Sequence, residues 1–164
     1  MRAILFPLTL TALLLTAALF GFFYAWVCST MWGLDAADPR VAMAAMQAMN
    51  ASVRNAVFAP SFFGAAPVLA LTALVAWGAG ARGTAGWLGL AAGLTAAAVL
   101  LTVSTNVPMN EALGATPVPE DIEAARAIWA GYSPRWQRWN LTRTVLTGLS
   151  VAAAGVALAR LPRA

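Results

Sequence analysis

Four apolar runs divide the chain: Ala3–Val27, Ser61–Ala81, Thr84–Ser104 and Leu141–Ala159. Each approaches or exceeds the roughly 20 residues a helix needs to cross a bilayer. No charge interrupts the first three, and the fourth carries only Arg143 near its start. This pattern predicts an all-α integral membrane four-helix bundle, with the lipid bilayer as its surroundings. It is read as a single four-span domain over residues 1–164, with no room for a separate soluble domain. The first run follows Arg2, as a secretory signal would. It is longer than such a signal and ends in Phe22-Phe23-Tyr24-Ala25-Trp26-Val27 rather than in small residues, so an uncleaved span is expected.

The two long connections predict two additional short amphipathic helices. Asp38-Pro39 supplies an N-cap and a first-turn proline, and Arg40–Phe58 reads as the first of them. At about 100° per residue, Met43, Met46, Met49, Val53 and Val57 fall on one face. Asn50 interrupts that stripe with Arg54 one turn on, and an amide on a buried face needs a hydrogen-bond partner. Pro108 predicts that the third span ends at Asn106-Val107-Pro108. After Pro117 and Pro119, Glu120 and Asp121 open the second short helix, which runs to about Trp129 and ends at Gly131. Ser133-Pro134 then starts a helix that continues into the fourth span.

Polar residues inside the spans are few and aligned. Thr95, Thr102 and Asn106 share one face of the third. Trp136, Asn140, Arg143, Thr147 and Ser150 recur at 4-3-4-3 spacing on the last helix, a single stripe. Facing an arginine to lipid at membrane depth is costly, so this stripe is expected to face Thr102 and Asn106 across the bundle interior. Gly89-x-x-x-Gly93, Ala17-x-x-x-Gly21 and Gly148-x-x-x-Ala152 suggest close helix approaches.

Composition agrees and narrows the chemistry. The chain is 61% hydrophobic with a mean hydropathy of +0.75, and only 10% charged where a soluble domain carries about a quarter. A single cysteine, Cys28, excludes an internal disulfide, and the absence of histidine removes the usual zinc, haem and copper ligand sets. No metal and no cofactor are expected. All ten basic residues are arginine, which matches the coding bias of a GC-rich bacterial genome. The pI near 10.6 comes without a basic cluster or stacking platform, so no nucleic-acid partner is expected.

Arg2, Arg82, Arg160 and Arg163 fall on the side of the termini with no acid, and sit close to span ends. The opposite side holds six arginines and all six acids. The close-set arginines favour cytoplasmic termini, and the expected location is a bacterial inner membrane. All seven tryptophans lie near span ends, as an aromatic belt predicts. Five of them, Trp26, Trp32, Trp129, Trp136 and Trp139, crowd one face, an excess that a belt does not explain.

These residues carry a resemblance. Gly21-Phe22-Phe23 with Met31, Met46-Gln47-x-x-Asn50, Asn106-Val107-Pro108-Met109-Asn110 and Trp129-x-x-Tyr132-x-x-x-Trp136-x-x-Trp139-Asn140-x-x-Arg143 together resemble the small four-span anthrone oxygenase-like membrane proteins. Leu141 stands where many relatives are expected to carry histidine. The resemblance implies the four-span fold and, by analogy with fungal members that oxidise an anthrone to an anthraquinone with O₂, an oxygenase; many bacterial members have no assigned reaction.

Three functions fit the polar and aromatic block at the end of the third and fourth spans. A cofactor-independent oxygenase would use Arg143, Asn106 and Asn110 to hold a developing enolate oxygen. Glu111 would act as base, with Tyr24, Tyr132 and Asp35 as other candidates. Asn50, Trp129, Tyr132, Trp136, Trp139 and Asn140 would bind the lipid-soluble aromatic substrate. A non-catalytic protein would use the same pocket for a quinone or another amphiphile. A purely structural cluster would tie the outer connections to the helix ends.

Overall fold

The computed structural model describes residues 2–161, with side chains from residue 4 onward. The side chains of Arg2 and Arg163, both used in the orientation argument, lie outside it. Helix makes up 87% of the described residues, and no strand occurs among them. The elements are α1 (Arg2–Ala25), a π-helical turn (Trp26–Thr30), α2 (Met31–Ala36), α3 (Pro39–Ser52) and α4 (Ala59–Gly78). They continue with α5 (Arg82–Leu101), a second π-helical turn (Thr102–Asn106), α6 (Val107–Gly114) and α7 (Ile122–Ala159).

The long helices pack in the cyclic order α1, α4, α5, α7, a bundle whose members are each apolar enough to span a membrane. This is a multi-pass membrane protein. Gly80 makes the sharp reversal between α4 and α5: at φ 80° it caps α4, and the Ala81 amide returns to the Ala76 carbonyl at 2.9 Å. At the end that holds the termini, Leu5, Leu69, Leu88 and a group of alanines form an apolar core. At the other end Met31, Met43, Met46, Trp129 and Trp136 pack beneath α3, which lies across α6 and α7.

Several expected boundaries are corrected. The third span does not end at Pro108, because the wide turn at Thr102–Asn106 precedes it and the helix runs on into α6. A proline clashes with the carbonyl four residues back, and a π-helical turn opens that spacing. Nor does Gly131 end a separate short helix: α7 passes through Gly131 and Pro134 without a break. Asp35 supplies the reason. One of its carboxylate oxygens accepts from Trp129 Nε1 at 2.9 Å and Ser133 Oγ at 2.7 Å, and the other from Gln137 Nε2 at 2.8 Å. These donors, one turn apart, bracket Pro134 and hold the helix across it.

The helix beginning at Asp38 stops at Ser52 rather than Phe58, where Asn55 Oδ1 accepts from the Val57 and Phe58 amides and turns the chain into α4. Val57 leaves the apolar stripe and is 89% exposed, whereas Met43 and Met46 are fully buried. Gly89, Gly93 and Gly21 have no neighbour where a Cβ would stand; of the glycines in these pairs, only Gly148 faces a neighbour, a Cβ there meeting the Phe20 ring at 3.1 Å.

Asp38 caps α3 as its sequence predicts, accepting from the Arg40 amide at 2.9 Å and pairing with the Arg40 guanidinium at 2.6 Å. That partner holds its carboxyl down at about 2, below the ordinary 3.8. A depressed carboxylate stabilises the fold above its ordinary pKa and loses that contribution as the pH falls through the lowered value. The protection factors of amides in residues 39–52, exchange rates taken relative to the intrinsic rate at each pH, are therefore expected to be flat above pH 4 and to fall as the pH falls toward about 2. Asp38→Ala is expected to remove that pH dependence.

Candidate functional site

Both π-helical turns lie at the end of the bundle away from the termini, and each re-aims the residues around it. The first turns Trp26 inward against Trp136, with ring centroids 5.1 Å apart. The second directs Thr102 and Asn106 toward α7, burying both. Between them sits a cavity of about 710 Å³. Small-molecule sites typically enclose about 300–1,000 Å³.

Arg143 lies against this cavity and is only 4% exposed. Its Nε donates to Asn140 Oδ1 at 3.0 Å, and Nη1 to Thr102 Oγ1 at 3.4 Å. The amide of Asn140 is oriented for this, because its Nδ2 is occupied by the Phe23 carbonyl at 3.1 Å. The guanidinium lies 4.2 Å from the centroid of Phe23 and 5.1 Å from that of Trp136. No carboxylate among the described residues pairs with it, and Nη2 meets no acceptor there. Stacking on two rings offsets part of the cost of burying the cation. The remaining donors have only the cavity to serve.

A second donor reaches the cavity through a chain of oriented amides. An indole N–H donates and never accepts, so Trp136 Nε1 fixes Asn110 with its oxygen inward, at 2.7 Å. Tyr132 donates to the same oxygen at 2.8 Å. Asn110 Nδ2 must then point the other way, and it donates to Asn50 Oδ1 at 3.0 Å. Asn50 lines the cavity, and its Nδ2 is buried without a hydrogen-bond partner. Trp136 and Asn110 thus fix which end of the Asn50 amide is bonded. The anomaly of an amide on an apolar stripe resolves into a bonded oxygen and a free N–H₂.

The remaining wall is aromatic. Phe22 and Phe23 come from α1, and Phe58, Phe62 and Phe63 from the start of α4. Phe22 and Phe58 touch across the gap with centroids 4.7 Å apart. These rings were the part of the site that sequence reasoning missed, although the pairs Phe22-Phe23 and Phe62-Phe63 at facing run ends were the available signal. At the outer rim Arg54 and Glu111 bridge α6 to the turn after α3 at 3.3 Å, both well exposed.

Of the residues singled out from the sequence, Asn50, Asn110, Glu111, Trp136 and Arg143 line the cavity. Tyr132 and Asn140 stand one hydrogen bond behind it. Asn106 is fully buried, donates to the Trp136 carbonyl at 3.4 Å and leaves its Oδ1 without a partner. Trp129 and Trp139 are not brought in. The Trp129 indole is drawn to Asp35, and Trp139 is 41% exposed on the outer surface. Thr147 and Ser150 continue the buried stripe below the cavity, where Ser150 bonds Thr95 at 2.7 Å. Among the described residues no group of three His, Cys, Asp or Glu side chains gathers to hold a metal.

The family model that matches is described as anthrone oxygenase, and it covers residues 52–153. No curated protein and no solved structure matches the chain. The matched segment holds Glu111, Asn110, Trp136 and Arg143, whereas Asn50 and the Phe22-Phe23 wall precede it.

Proposed function

The chain belongs to the anthrone oxygenase family, and from that membership we propose that its cavity binds a polycyclic phenol and oxidises it with O₂, using neither metal nor organic cofactor. An anthrone carries a weakly acidic CH₂ group opposite its carbonyl. Losing that proton gives an enolate whose negative charge rests on oxygen. Arg143 and Asn50 are the donors that hold this oxygen, and they strengthen their bonds as charge develops. The electron-rich enolate passes an electron to O₂, and recombination at carbon forms a C–O bond. The resulting hydroperoxide loses water, so one oxygen atom stays as the new carbonyl and the other leaves as water.

The observation that carries this reading is a buried guanidinium with no carboxylate partner beside an aromatic cavity, whose wall also holds Asn50 with an unpaired amide nitrogen. Glu111 is the proposed base. It is the sole carboxylate lining the cavity among the described residues, yet it is exposed and paired with Arg54. That pairing favours a second reading, a non-catalytic protein that binds a quinone-like amphiphile through the same donors.

Protein purified in lipid nanodiscs is expected to consume one O₂ per anthrone, well above the buffer rate. Binding of a hydroxyanthraquinone without O₂ uptake would establish the second reading, and neither binding nor uptake would leave a structural cluster. Glu111→Gln is expected to slow turnover at least about tenfold with little change in affinity, in line with the 10²–10⁴ usual for a general base. The same reading includes a bacterial inner membrane location with cytoplasmic termini. Arg82 over Trp77 at 5.0 Å and Arg160 over Trp87 at 5.7 Å support it, as paired anchors at the end that holds the termini.

A further inference from the structure

The exposed residues that line the cavity fall into two groups of opposite character. On one side are Arg54, Asn55 and Glu111, polar side chains at the outer end of the bundle, with the small Ala56 beside them. On the other are Phe63 and Val103, which are 67% and 50% exposed. Phe63 belongs to the second turn of α4, and Val103 to the π-helical turn that follows α5. These helices are neighbours in the bundle, and their outward faces meet lipid. Just inside, Phe62 and Thr102 are buried, and Thr102 bonds Arg143. A path lined by apolar side chains therefore leads from the hydrocarbon to the guanidinium. The polar opening is spanned by the Arg54–Glu111 pair at 3.3 Å.

We propose that the ligand reaches the cavity sideways from the bilayer, between Phe63 and Val103, while the Arg54–Glu111 bridge guards the aqueous rim. The inference rests on the reading of the cavity as a site for an aromatic compound with an acidic oxygen, and it specifies that compound's class. It must partition into hydrocarbon and pass the mouth in its neutral form, because an anion does not cross an apolar gap with no donor in it. A charged, membrane-excluded conjugate such as a phenol glucuronide is not a ligand, even though it carries the same ring.

The test separates the route from the site. In a Cys28→Ser background, one variant carries Phe63→Cys and Val103→Cys, and a second carries Arg54→Cys and Glu111→Cys. Both are reconstituted in phosphatidylcholine vesicles loaded with 1,8-dihydroxyanthraquinone, and binding is followed by quenching of tryptophan fluorescence before and after treatment with a flexible bifunctional maleimide. Each variant before crosslinking is its own folding control. Crosslinking across Phe63 and Val103 is expected to slow association at least about tenfold, and crosslinking across the aqueous rim to change it less than about twofold. The reverse pattern, or equal slowing by both, overturns lateral entry. Failure of the uncrosslinked Cys28→Ser protein to quench at all would instead overturn the site reading on which the route depends.

Discussion

Arg143→Met is expected to weaken binding of a hydroxyanthraquinone by about 100-fold while leaving the fold in place. The affinity loss follows from what the guanidinium offers. Hydrogen bonds to a charged group contribute about 1.5–3 kcal/mol, or roughly 10- to 150-fold in affinity. Arg143 faces the cavity with donors that no protein acceptor takes. Stability is the less obvious half. Methionine loses the stacking on Phe23 and Trp136 and orphans Asn140 Oδ1, a cost of about 1–3 kcal/mol. It also removes a buried cation that has no counter-ion, and desolvating an ion costs several kcal/mol even after relaxation. The terms oppose one another, so the thermal midpoint should stay near that of the native protein or rise. A purely structural Arg143 predicts the opposite pattern: a fall of more than about 3 kcal/mol in stability, with nothing separable in ligand binding.

The same variant has a spectroscopic signature. A cation beside a bound phenol favours the phenolate, so the phenol bound to native protein should titrate about one to two pH units below the free compound. In Arg143→Met that shift should vanish, or reverse under the cavity's desolvation. Arg143→Lys should retain the shift and recover only part of the affinity, since an ammonium carries the charge without the planar fork.

Why the stripe on α7 was legible from sequence, and the cavity was not, has a physical basis. A helix has a fixed angular period, so Trp136, Asn140, Arg143, Thr147 and Ser150 had to share a face wherever the helix lay. Their cost in lipid settled that the face was inward, and all five are buried. The four spans were equally legible, because hydropathy depends on composition alone. Helix ends inside the membrane were not. Pro108 and the Gly131–Pro134 segment are breakers in water, but here a π-helical turn absorbs one and the Asp35 ties bridge the other. The Asp35 ties come from a residue about a hundred positions away, which no local rule sees. The aromatic half of the cavity, Phe22 with Phe58 and Phe62, likewise arises only when α1 and α4 meet. Trp129 and Trp139 belonged to the same sequence block as Trp136, yet a neighbouring carboxylate claimed one and the outer surface the other.

Asn110→Asp is expected to damage binding more than removing the Asn50 donor does, although both residues line the cavity. The reason lies in the direction of each bond. In the native protein Trp136 and Tyr132 both donate to Asn110 Oδ1, and Asn110 Nδ2 donates to Asn50 Oδ1. Aspartate still accepts from Trp136 and Tyr132, so the local packing survives. Its second oxygen now faces Asn50 Oδ1, and two acceptors at 3.0 Å repel. Rotation of the Asn50 amide by half a turn relieves this, because Nδ2 then donates to the new carboxylate. The cavity consequently loses a donor and gains an acceptor, and a negative charge appears two bonds from the ligand oxygen. Asn50→Leu removes the donor and leaves Asn110 Nδ2 unpaired but adds no repulsive group to the cavity, a loss of about 0.5–1.5 kcal/mol or roughly 2- to 13-fold in affinity. Asn110→Asp adds acceptor–acceptor and charge repulsion to that loss, so at least about 100-fold is expected for a phenolate. A neutral anthraquinone lacking hydroxyls should discriminate far less between the two variants. Equal effects of Asn110→Asp on the phenolate and the neutral ring would show that Asn110 only braces Trp136, and that the orientation of Asn50 is not transmitted through it.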